Sequence, residues 1–250
     1  MMEKTGAAIK GADQVKIVVI NGTPAHGITW HMKEMFLNHL REENPITEFY
    51  PKDMPPFCVG CKNCFLRGEE HCPHAQTMEP VWNAMREADL LVFAYPVYAL
   101  RAPASVKSLL DHLCVHWMVH RPDPKIFEKT AVVITNSVGA PNGSAQKDVR
   151  TSMAWMGVSK VYACGAGMMG DIFWNTITDS HKSMLERRMA RLAGKAAHVR
   201  PCRRKSLKVT ALFDMCRLQH AMVLKTESEP SLDNRYFLEQ GWIKDKTKGG

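Results

Sequence analysis

Short apolar runs alternate with amphipathic stretches along most of the chain. Continuous β-branched runs that end at turn residues are typical of strands buried on both faces of a sheet. Such runs predict strands at residues 15–21, 46–50, 90–95, 130–136 and, less regularly, 160–163. Between the runs, apolar residues recur at helical spacing. This spacing predicts helices at residues 29–42, 77–88, 104–118, 145–156 and 179–198.

The alternation of strands with helices predicts an α/β fold, a doubly wound five-stranded parallel sheet covered on both faces. Pro201 marks a boundary in this pattern. The expected parts are an N-terminal tail at 1–13, a main domain at 14–200 that contains a cysteine-rich insert at 51–74, and a C-terminal helical extension at 201–250.

The C-terminal extension contains a helical pattern at 206–224, followed by an aromatic stretch from Tyr236 to Trp242. Two roles are open for these aromatic residues. They anchor the extension to its own domain, or they cap a ligand site of a neighbouring subunit.

Composition favours a globular protein without a membrane span. Of the 250 residues, 45% are hydrophobic and 23% are charged, which is ordinary for a folded domain. The longest apolar run, Leu90 to Leu100, is about half the ~20 residues that a spanning helix needs, and Pro96 interrupts it. The first residues show no apolar stretch typical of a secretory signal, so we expect a cytoplasmic protein.

The net charge of +8 is concentrated in one segment. Between Lys182 and Lys208, ten Lys or Arg residues accompany a single acid, Glu186, so this segment carries +9 and the rest −1. The favoured interpretation is a solvated helix face, and we expect no nucleic-acid partner. An acidic partner, a phosphate-bearing cofactor and a membrane headgroup are the alternatives.

Three loops leave the carboxyl ends of the predicted strands, where ligands bind in sheets of this kind. They comprise residues 22–30, 96–103 and 137–144. The first offers two hydroxyls, two glycines and the N–H groups of a starting helix, which suit a phosphate, although a plain strand-to-helix turn is equally compatible. The second is stiffened by proline and offers an aromatic ring for a flat heterocycle, or it simply ends a buried strand. The third supplies small residues and free amides.

Four cysteines fall close together in the loop before the second predicted helix. Cys58, Cys61 and Cys64 are spaced by three, and Cys72 follows with a proline after it. Spacing of this kind lets thiolates converge on one centre, as in bacterial ferredoxins. Zinc on the same thiolates, with His71 or His74, is the structural alternative, and free thiols or a redox disulfide come third.

The motifs together resemble the flavodoxin-like NADPH-dependent FMN reductases, and especially their branch with iron–sulfur flavoproteins. The resemblance rests on Gly22-Thr23-Pro24 with Thr29, on Pro96-Val97-Tyr98 and on the segment from Lys107 to Asp111, and it covers residues 15 to 200. It implies a flavodoxin-like fold, bound FMN and NAD(P)H as the electron donor. Relatives of this fold also suggest a homodimer or homotetramer.

The resemblance also implies particular site residues. The loop expected to hold the FMN phosphate contributes Thr23, Ala25, His26, Ile28 and Thr29. The residues expected against the isoalloxazine ring are Pro96, Val97, Tyr98, Ala99, Leu100, Ser137 and Gly139. The residues expected to hold a 4Fe–4S cluster are Cys58, Cys61, Cys64 and Cys72.

The phosphate loop departs from the family pattern. It carries Ala25 where an arginine is expected and Ile28 where an asparagine is expected, in a loop about one residue short. Loss of the guanidinium weakens phosphate binding unless His26 or the backbone replaces it.

The expected activity is transfer of electrons from NAD(P)H through FMN, directly or through a 4Fe–4S cluster, to a small acceptor such as a quinone or a flavin. The cofactor carries this chemistry, so no catalytic side chain is predicted. Two alternatives are a flavodoxin-like electron carrier without enzymatic activity and a zinc-stapled basic binding domain. The three histidines His112, His116 and His120 are spaced by four and are interpreted as a packed or solvated helix face.

Overall fold

The strands form one parallel sheet, as the hydrophobic pattern predicts. The computed structural model describes residues 14–41, 44–169, 173–197 and 206–244, so the predicted tail at 1–13 and the boundary at Pro201 lie outside the described residues. The strands are β1 (Ile17–Asn21), β2 (Ile46–Phe49), β3 (Leu90–Pro96), β4 (Thr130–Ser137) and β5 (Lys160–Gly167). All neighbours pair in parallel in the order β2-β1-β3-β4-β5. This order is that of a flavodoxin-like fold, so the predicted fold class is confirmed.

Helices connect the strands and continue after the last one. They are α1 (Ile28–Asn38), α2 (Asn63–Leu66), α3 (Ala75–Glu87), α4 (Ala104–Leu113), α5 (Gly143–Met156), α6 (Asp179–Ala197), α7 (Leu207–Val223) and α8 (Leu232–Glu239). Short 3-10 turns lie at Pro51–Asp53, Glu69–His71, Cys114–His116, Pro124–Glu128 and Trp174–Thr176. Among the described residues, no helix combines the length and apolar character needed to cross a membrane.

Successive residues of each central strand supply two different cores. In β1, Val18 and Ile20 pack with α3, α4 and α5 on one face, while Ile17 and Val19 pack with α1 and α6 on the other. Side chains alternate across a strand, so a run that is apolar at every position requires this burial on both faces.

The ends of several helices differ from the periodicity or follow local signals. Helix α5 ends at Gly157, whose φ of 96° is the left-handed conformation that glycine adopts at low cost. Helix α4 ends at Leu113 rather than near 118, because a 3-10 turn at Cys114–His116 replaces its last turn. Strand β5 is longer than predicted and continues through Gly165 to Gly167.

The C-terminal helices form a third apolar cluster on the main domain. Phe213 of α7 and Phe237 of α8 pack with Phe127 and Met118 of the preceding chain. The Tyr236 hydroxyl donates a hydrogen bond to the Pro122 carbonyl at 2.7 Å. The aromatic residues of the extension therefore anchor it to its own chain.

Candidate functional site

Hydrogen bonds hold the first two predicted loops to the neighbouring strands and to α4 at the carboxyl edge of the sheet. The Gly22 amide donates to the Ala94 carbonyl at 2.8 Å, and the Ser105 hydroxyl donates to the Gly22 carbonyl at 3.0 Å. The Val97 amide donates to the Asn136 carbonyl at 2.7 Å. The chain reverses its direction of winding between β1 and β3, so these loops surround the switch point at which ligands of such sheets bind.

The first loop presents backbone groups more than side chains. Helix α1 begins after Gly27, and the amides of its first turn meet no side-chain cap in the part of the chain that the structure describes. Ala25 and His26 are exposed, whereas Ile28 and Thr29 are buried. The Ile28 side chain belongs to the apolar cluster beneath α1, so this residue offers the loop its amide rather than its side chain.

His26 is held by aromatic stacking near the start of α1. Its ring lies 4.5 Å from the Trp30 ring and nearly parallel to it. The Thr23 hydroxyl accepts a hydrogen bond from the Ala25 amide at 3.2 Å, which fixes the turn between them. An imidazole and two threonines therefore flank the free amides of the helix start.

The second loop contains a tight turn with unusual backbone angles. Tyr98 and Arg101 exchange two backbone hydrogen bonds, of 3.1 and 2.9 Å. The two residues between them, Ala99 and Leu100, have φ values of 48° and 62°. Positive φ at both central positions is the geometry of a type I′ turn and is strained for residues other than glycine. Strain of this kind concentrates at ligand-binding segments.

Asp148 of α5 anchors this strained turn. Its nearly buried carboxylate accepts hydrogen bonds from Arg101 Nε and from the Ala102 amide, both at 3.1 Å, and a further one from Arg101 Nη2. The sequence analysis did not identify Asp148, because nothing in the spacing of α5 relates it to a loop 46 residues earlier.

The third loop is closed by a small polar network. The Ser137 hydroxyl donates to the Ala140 carbonyl and accepts from the Asn142 side-chain amide at 3.1 Å. Gly139 has a φ of 79°, which favours glycine there. The Asn142 Oδ1 atom is buried and has no hydrogen-bond partner among the described residues. An acceptor thus lies beside this loop with its hydrogen-bonding capacity unused.

Large apolar side chains are exposed along the same edge. Tyr98 and Leu100 are each 56% exposed, Val138 is 57% exposed and Met169, close to Gly139, is 85% exposed. Exposed apolar side chains that cluster at one site mark a binding surface rather than chance exposure. This edge is therefore suited to a flat, largely apolar ligand.

The four predicted cysteine ligands line one cavity of about 540 Å³ between the cysteine-rich loop, α3 and α4. Cys58 and Cys61 are exposed, Cys64 and Cys72 are half-buried, and all four are free thiols. Burial raises the pKa of the Cys64 thiol, and the neighbouring Cys72 and Cys58 thiols raise it further. The structure therefore brings the four cysteines of the motif together around one cavity.

A fifth cysteine lies at this cavity. Burial, with smaller contributions from Cys64 and Cys58, raises the pKa of Cys114 to about 11. The sequence does not relate this residue to the motif, since it lies 42 positions after Cys72. Only the packing of α4 against the loop relates it to the motif.

A sequence model of the NADPH-dependent FMN reductase family matches residues 15–167, more than half of the chain. The chain belongs to this family.

Curated relatives and solved structures agree with this family. An iron–sulfur flavoprotein of Archaeoglobus fulgidus is 31% identical over 113 residues, which cover 45% of this chain and only 50% of that protein. An iron–sulfur flavoprotein of Methanocaldococcus jannaschii is 23% identical over 167 residues, which cover 64% of this chain and 82% of that protein. The solved structure of the NAD(P)H:quinone oxidoreductase from Methanothermobacter marburgensis superposes with a TM-score of 0.57 at 17% identity. The superposition covers 74% of this chain and 98% of that one, and it shows that the two share a fold.

The three spaced histidines have separate environments. His112 Nε2 lies 2.9 Å from His74 Nδ1 at the cysteine cavity. His116 stacks on Trp82 with ring centroids 3.7 Å apart, and burial lowers its pKa to about 3. His120 Nδ1 lies 2.8 Å from Asp233. Because the helix changes to a 3-10 turn at Cys114, the predicted single histidine face is not formed.

Basic residues of the chain divide into anchored and exposed sets. Arg121 is nearly buried and donates to Glu69 at 3.3 Å, to Asp233 and to the Cys64 carbonyl. It therefore fixes the cysteine loop. Arg187, Arg191 and Lys195 are exposed at four-residue spacing along α6. Arg188, on the same helix, donates to the Gly165 carbonyl at 2.6 Å, whereas Arg200, Arg203 and Arg204 lie outside the described residues.

Proposed function

We propose that this chain binds FMN at the carboxyl edge of β1, β3 and β4 and uses it to oxidise NAD(P)H. The exposure of Tyr98, Leu100 and Val138 on two adjacent loops carries the proposal. These exposed side chains lack an apolar packing partner, and an isoalloxazine ring would supply one. The unused acceptor at Asn142 Oδ1 suits a ring N–H donor.

The proposed ring site comprises the two loops that follow β3 and β4. Pro96 and Val97 continue the strand with a hydrogen bond to β4, and the turn at Ala99 and Leu100 is rigid. Ser137 and Gly139 limit the opposite side. A rigid cleft of this kind orients a flat ring with little loss of conformational entropy on binding. The chain's own residues thus bind the ring and exclude water from one of its faces.

The proposed phosphate site uses the start of α1. Free amides at a helix N-terminus, together with the hydroxyl of Thr23, bind an anion through the helix dipole and hydrogen bonds. Ala25 provides no charge, so we assign the role of the missing guanidinium to the exposed His26 and to the amides of Ile28 and Thr29. A site held mainly by backbone groups is expected to bind FMN more weakly than one with an arginine.

When bound, FMN accepts a hydride from NAD(P)H and releases electrons to an acceptor, singly or in pairs. We propose a quinone or a second flavin as the acceptor, because the exposed apolar edge favours a flat, apolar molecule. Relatives among the curated proteins include FMN-dependent NADH:quinone oxidoreductases of Cereibacter sphaeroides, 33% identical over 104 residues. The active site then needs to position two flat molecules rather than to move a proton.

We further propose that Cys58, Cys61, Cys64 and Cys72 hold a 4Fe–4S cluster. All four thiols line one cavity, and a cubane spreads its ligands around four iron atoms, so the thiols do not need to meet at one point. The iron–sulfur flavoproteins among the relatives support the same assignment. When bound, such a cluster supplies one-electron transfer.

We propose subunit association as a homodimer or homotetramer. Leu218, Met215 and Met222 are all at least half exposed on the outer face of α7, and a second copy is the simplest cover for them. Sedimentation of the protein with Leu218→Asp beside the unchanged chain tests this, since a buried aspartate disrupts the association.

Absorbance of the anaerobically purified protein, with FMN added, tests the cofactor proposal directly. We expect a flavin spectrum and steady oxidation of NADPH or NADH with a quinone or ferricyanide as acceptor. Leu100→Asp is expected to weaken FMN binding at least about tenfold, because it places a charge against the ring. Val223→Asp, an exposed apolar position on α7, is the matched control and leaves FMN binding unchanged.

Two outcomes contradict the proposal in different ways. A protein that stays colourless after incubation with FMN has no flavin site. A protein that binds FMN but oxidises neither nucleotide is an electron carrier instead.

A further inference from the structure

One thiol of the cysteine cavity, that of Cys72, lies in a tighter group than the other four. The ligand atoms of Cys72, His74 and His112 all lie within 4.8 Å of one another. Within the described ranges, this is the one set of three or more Cys, His, Asp or Glu side chains gathered so closely. We propose that these three residues form a binding site for a single Zn²⁺ ion, with a ligand set different from the four-cysteine set.

The donor types favour zinc over harder ions. Zn²⁺ binds cysteine sulfur at ~2.3 Å and histidine nitrogen at ~2.0–2.1 Å in tetrahedral sites. A thiolate with two imidazoles does not suit Mg²⁺ or Ca²⁺, which take oxygen ligands. Binding removes the proton of the Cys72 thiol to solvent, while both imidazoles bind in their neutral form.

Hydrogen bonds already orient the ligands. His112 Nδ1 donates to the Ser108 carbonyl one turn earlier in α4, at 2.8 Å. That bond leaves the lone pair on His112 Nε2, the atom 2.9 Å from His74 Nδ1. A ligand histidine usually has its second nitrogen held in this way, which fixes the tautomer and the ring. The His74 amide also points to Cys72 Sγ at 3.4 Å and stabilises a thiolate there.

The site joins two elements that are far apart in sequence. Cys72 and His74 lie in the loop before α3, and His112 lies in the last turn of α4 and is buried. A bound ion would therefore tie the cysteine-rich loop to the main domain. Three protein ligands leave the fourth tetrahedral position for water or a small molecule from the cavity.

The proposal separates the zinc set from the cluster set. Both use Cys72, so the two occupancies exclude each other, and the zinc site is proposed for the chain that holds no cluster. Only the cluster set uses Cys58 and Cys61, which are exposed, and only the zinc set uses His74 and His112. Variants of these two pairs therefore report on the two sites independently, and neither requires FMN.

The test is titration of the metal-free full chain with Zn²⁺ alone, measured by competition with a chromophoric chelator. We expect one Zn²⁺ per chain. His112→Ala and His74→Ala should each lower the affinity at least about tenfold, while His71→Ala, an exposed histidine of the same loop, changes it less than threefold. The double variant with Cys58→Ser and Cys61→Ser should retain zinc affinity within threefold and lose the visible absorbance of an anaerobically reconstituted cluster.

Co²⁺ in place of Zn²⁺ gives a second readout that does not depend on affinity. A tetrahedral site with one thiolate gives intense visible bands and one sulfur-to-cobalt band, and Cys72→Ser should abolish the latter. Absence of zinc binding overturns the proposal. Zinc affinity that depends on Cys58 and Cys61 but not on the histidines overturns it equally, in favour of a thiolate-only site. Should His112→Ala fail to fold, His74→Ala decides alone.

Discussion

Gly22 is the residue at which the first two loops of the proposed flavin site approach most closely. A Cβ atom at this position would lie 2.4 Å from the Cβ of Tyr95 and 3.0 Å from side-chain atoms of Pro103 and Val106. None of these atoms is the free end of a flexible chain. The close contact therefore explains why the strand ends in glycine without reference to phosphate binding.

Gly22→Ala is expected to destabilise the protein by ~1–3 kcal/mol, because the added methyl separates β1 from β3 in an overpacked core. It should also weaken FMN binding, since the loops move apart. Urea denaturation and FMN titration measure the two effects. Gly194→Ala is the control: a Cβ there meets no atom within 4 Å among the described residues, and stability should stay equal or rise. Equal stability of both variants would contradict the packing argument.

His116 provides a residue with a defined pH response. It is buried against Trp82, and burial lowers its pKa to about 3. The unfolded chain titrates near 6.5, so between these values the unfolded state binds a proton that the native state does not. The stabilisation is complete above about pH 6.5 and decreases as the pH falls toward 3, by up to ~1.4 kcal/mol per unit.

We therefore expect the free energy of unfolding to fall by ~2 kcal/mol from pH 6.5 to 5.0 because of this group. Urea denaturation at both pH values, for the unchanged chain and for His116→Gln, measures the contribution. In His116→Gln, the free energy of unfolding should no longer fall by this amount between pH 6.5 and 5.0, even if the variant is less stable at neutral pH. His71→Gln, an exposed histidine, should keep the full slope. If His116→Gln leaves the pH dependence of the free energy of unfolding unchanged, groups other than His116 cause that dependence.

At the scale of single elements, the turn after β3 depends on its anchor in α5. The turn is strained at Ala99 and Leu100, and Asp148 accepts hydrogen bonds from both Arg101 and the Ala102 amide. The strain persists only where surrounding contacts fix the backbone. Removal of the anchor therefore allows the turn to relax away from the geometry proposed to contact the ring.

Asp148→Ala is expected to weaken FMN binding about tenfold, because the loop must be reordered on binding. The change in global stability should be smaller than ~1 kcal/mol, since Arg101 is itself exposed. Quenching of FMN fluorescence measures the affinity. Asp111→Ala, which removes an exposed ion pair with Lys107 on α4, serves as the control and should leave the affinity unchanged. An unaltered affinity in Asp148→Ala would mean that the turn is fixed by other contacts.

The three central strands could be predicted because nearly every position of a doubly covered strand is apolar, as in the run from Ile17 to Ile20. The end of α4 could not, because the helical spacing continues through His116 while the backbone changes to a 3-10 turn at Cys114. Helix α8 was missed for another reason. Of its eight residues only Asn234 and Phe237 are buried, too few positions to show a helical period.

In the candidate site, too, some residues could be predicted from the sequence and others could not. The loops at the sheet edge could be predicted because they follow directly from the strands. Asp148, Cys114 and His112 could not be assigned to a site, because their partners are distant in sequence and meet only through tertiary packing. Spacing within one element predicts neighbours along that element alone.

At the scale of the whole molecule, the C-terminal helices are linked to the cysteine cavity. Asp233 of α8 binds Arg121, and Arg121 donates to the Cys64 carbonyl and to Glu69 in the loop. His120 bonds the same aspartate at 2.8 Å and contacts Phe65 of α2. A nearly buried guanidinium thus connects the extension with the segment that carries the proposed metal ligands.

Asp233→Ala should loosen the cysteine loop without changing the flavin site, which lies on other loops. It leaves the buried Arg121 with fewer partners, at a cost of about 3 kcal/mol. We expect the reaction of the Cys64 thiol with a thiol reagent to accelerate at least about tenfold, because the bond to its carbonyl weakens, while FMN affinity changes less than twofold. Asp214→Ala, which removes an exposed ion pair within α7, should change neither quantity. Thiol reactivity that stays constant, or FMN affinity that falls in parallel, would show that the extension does not act on the cavity through Arg121.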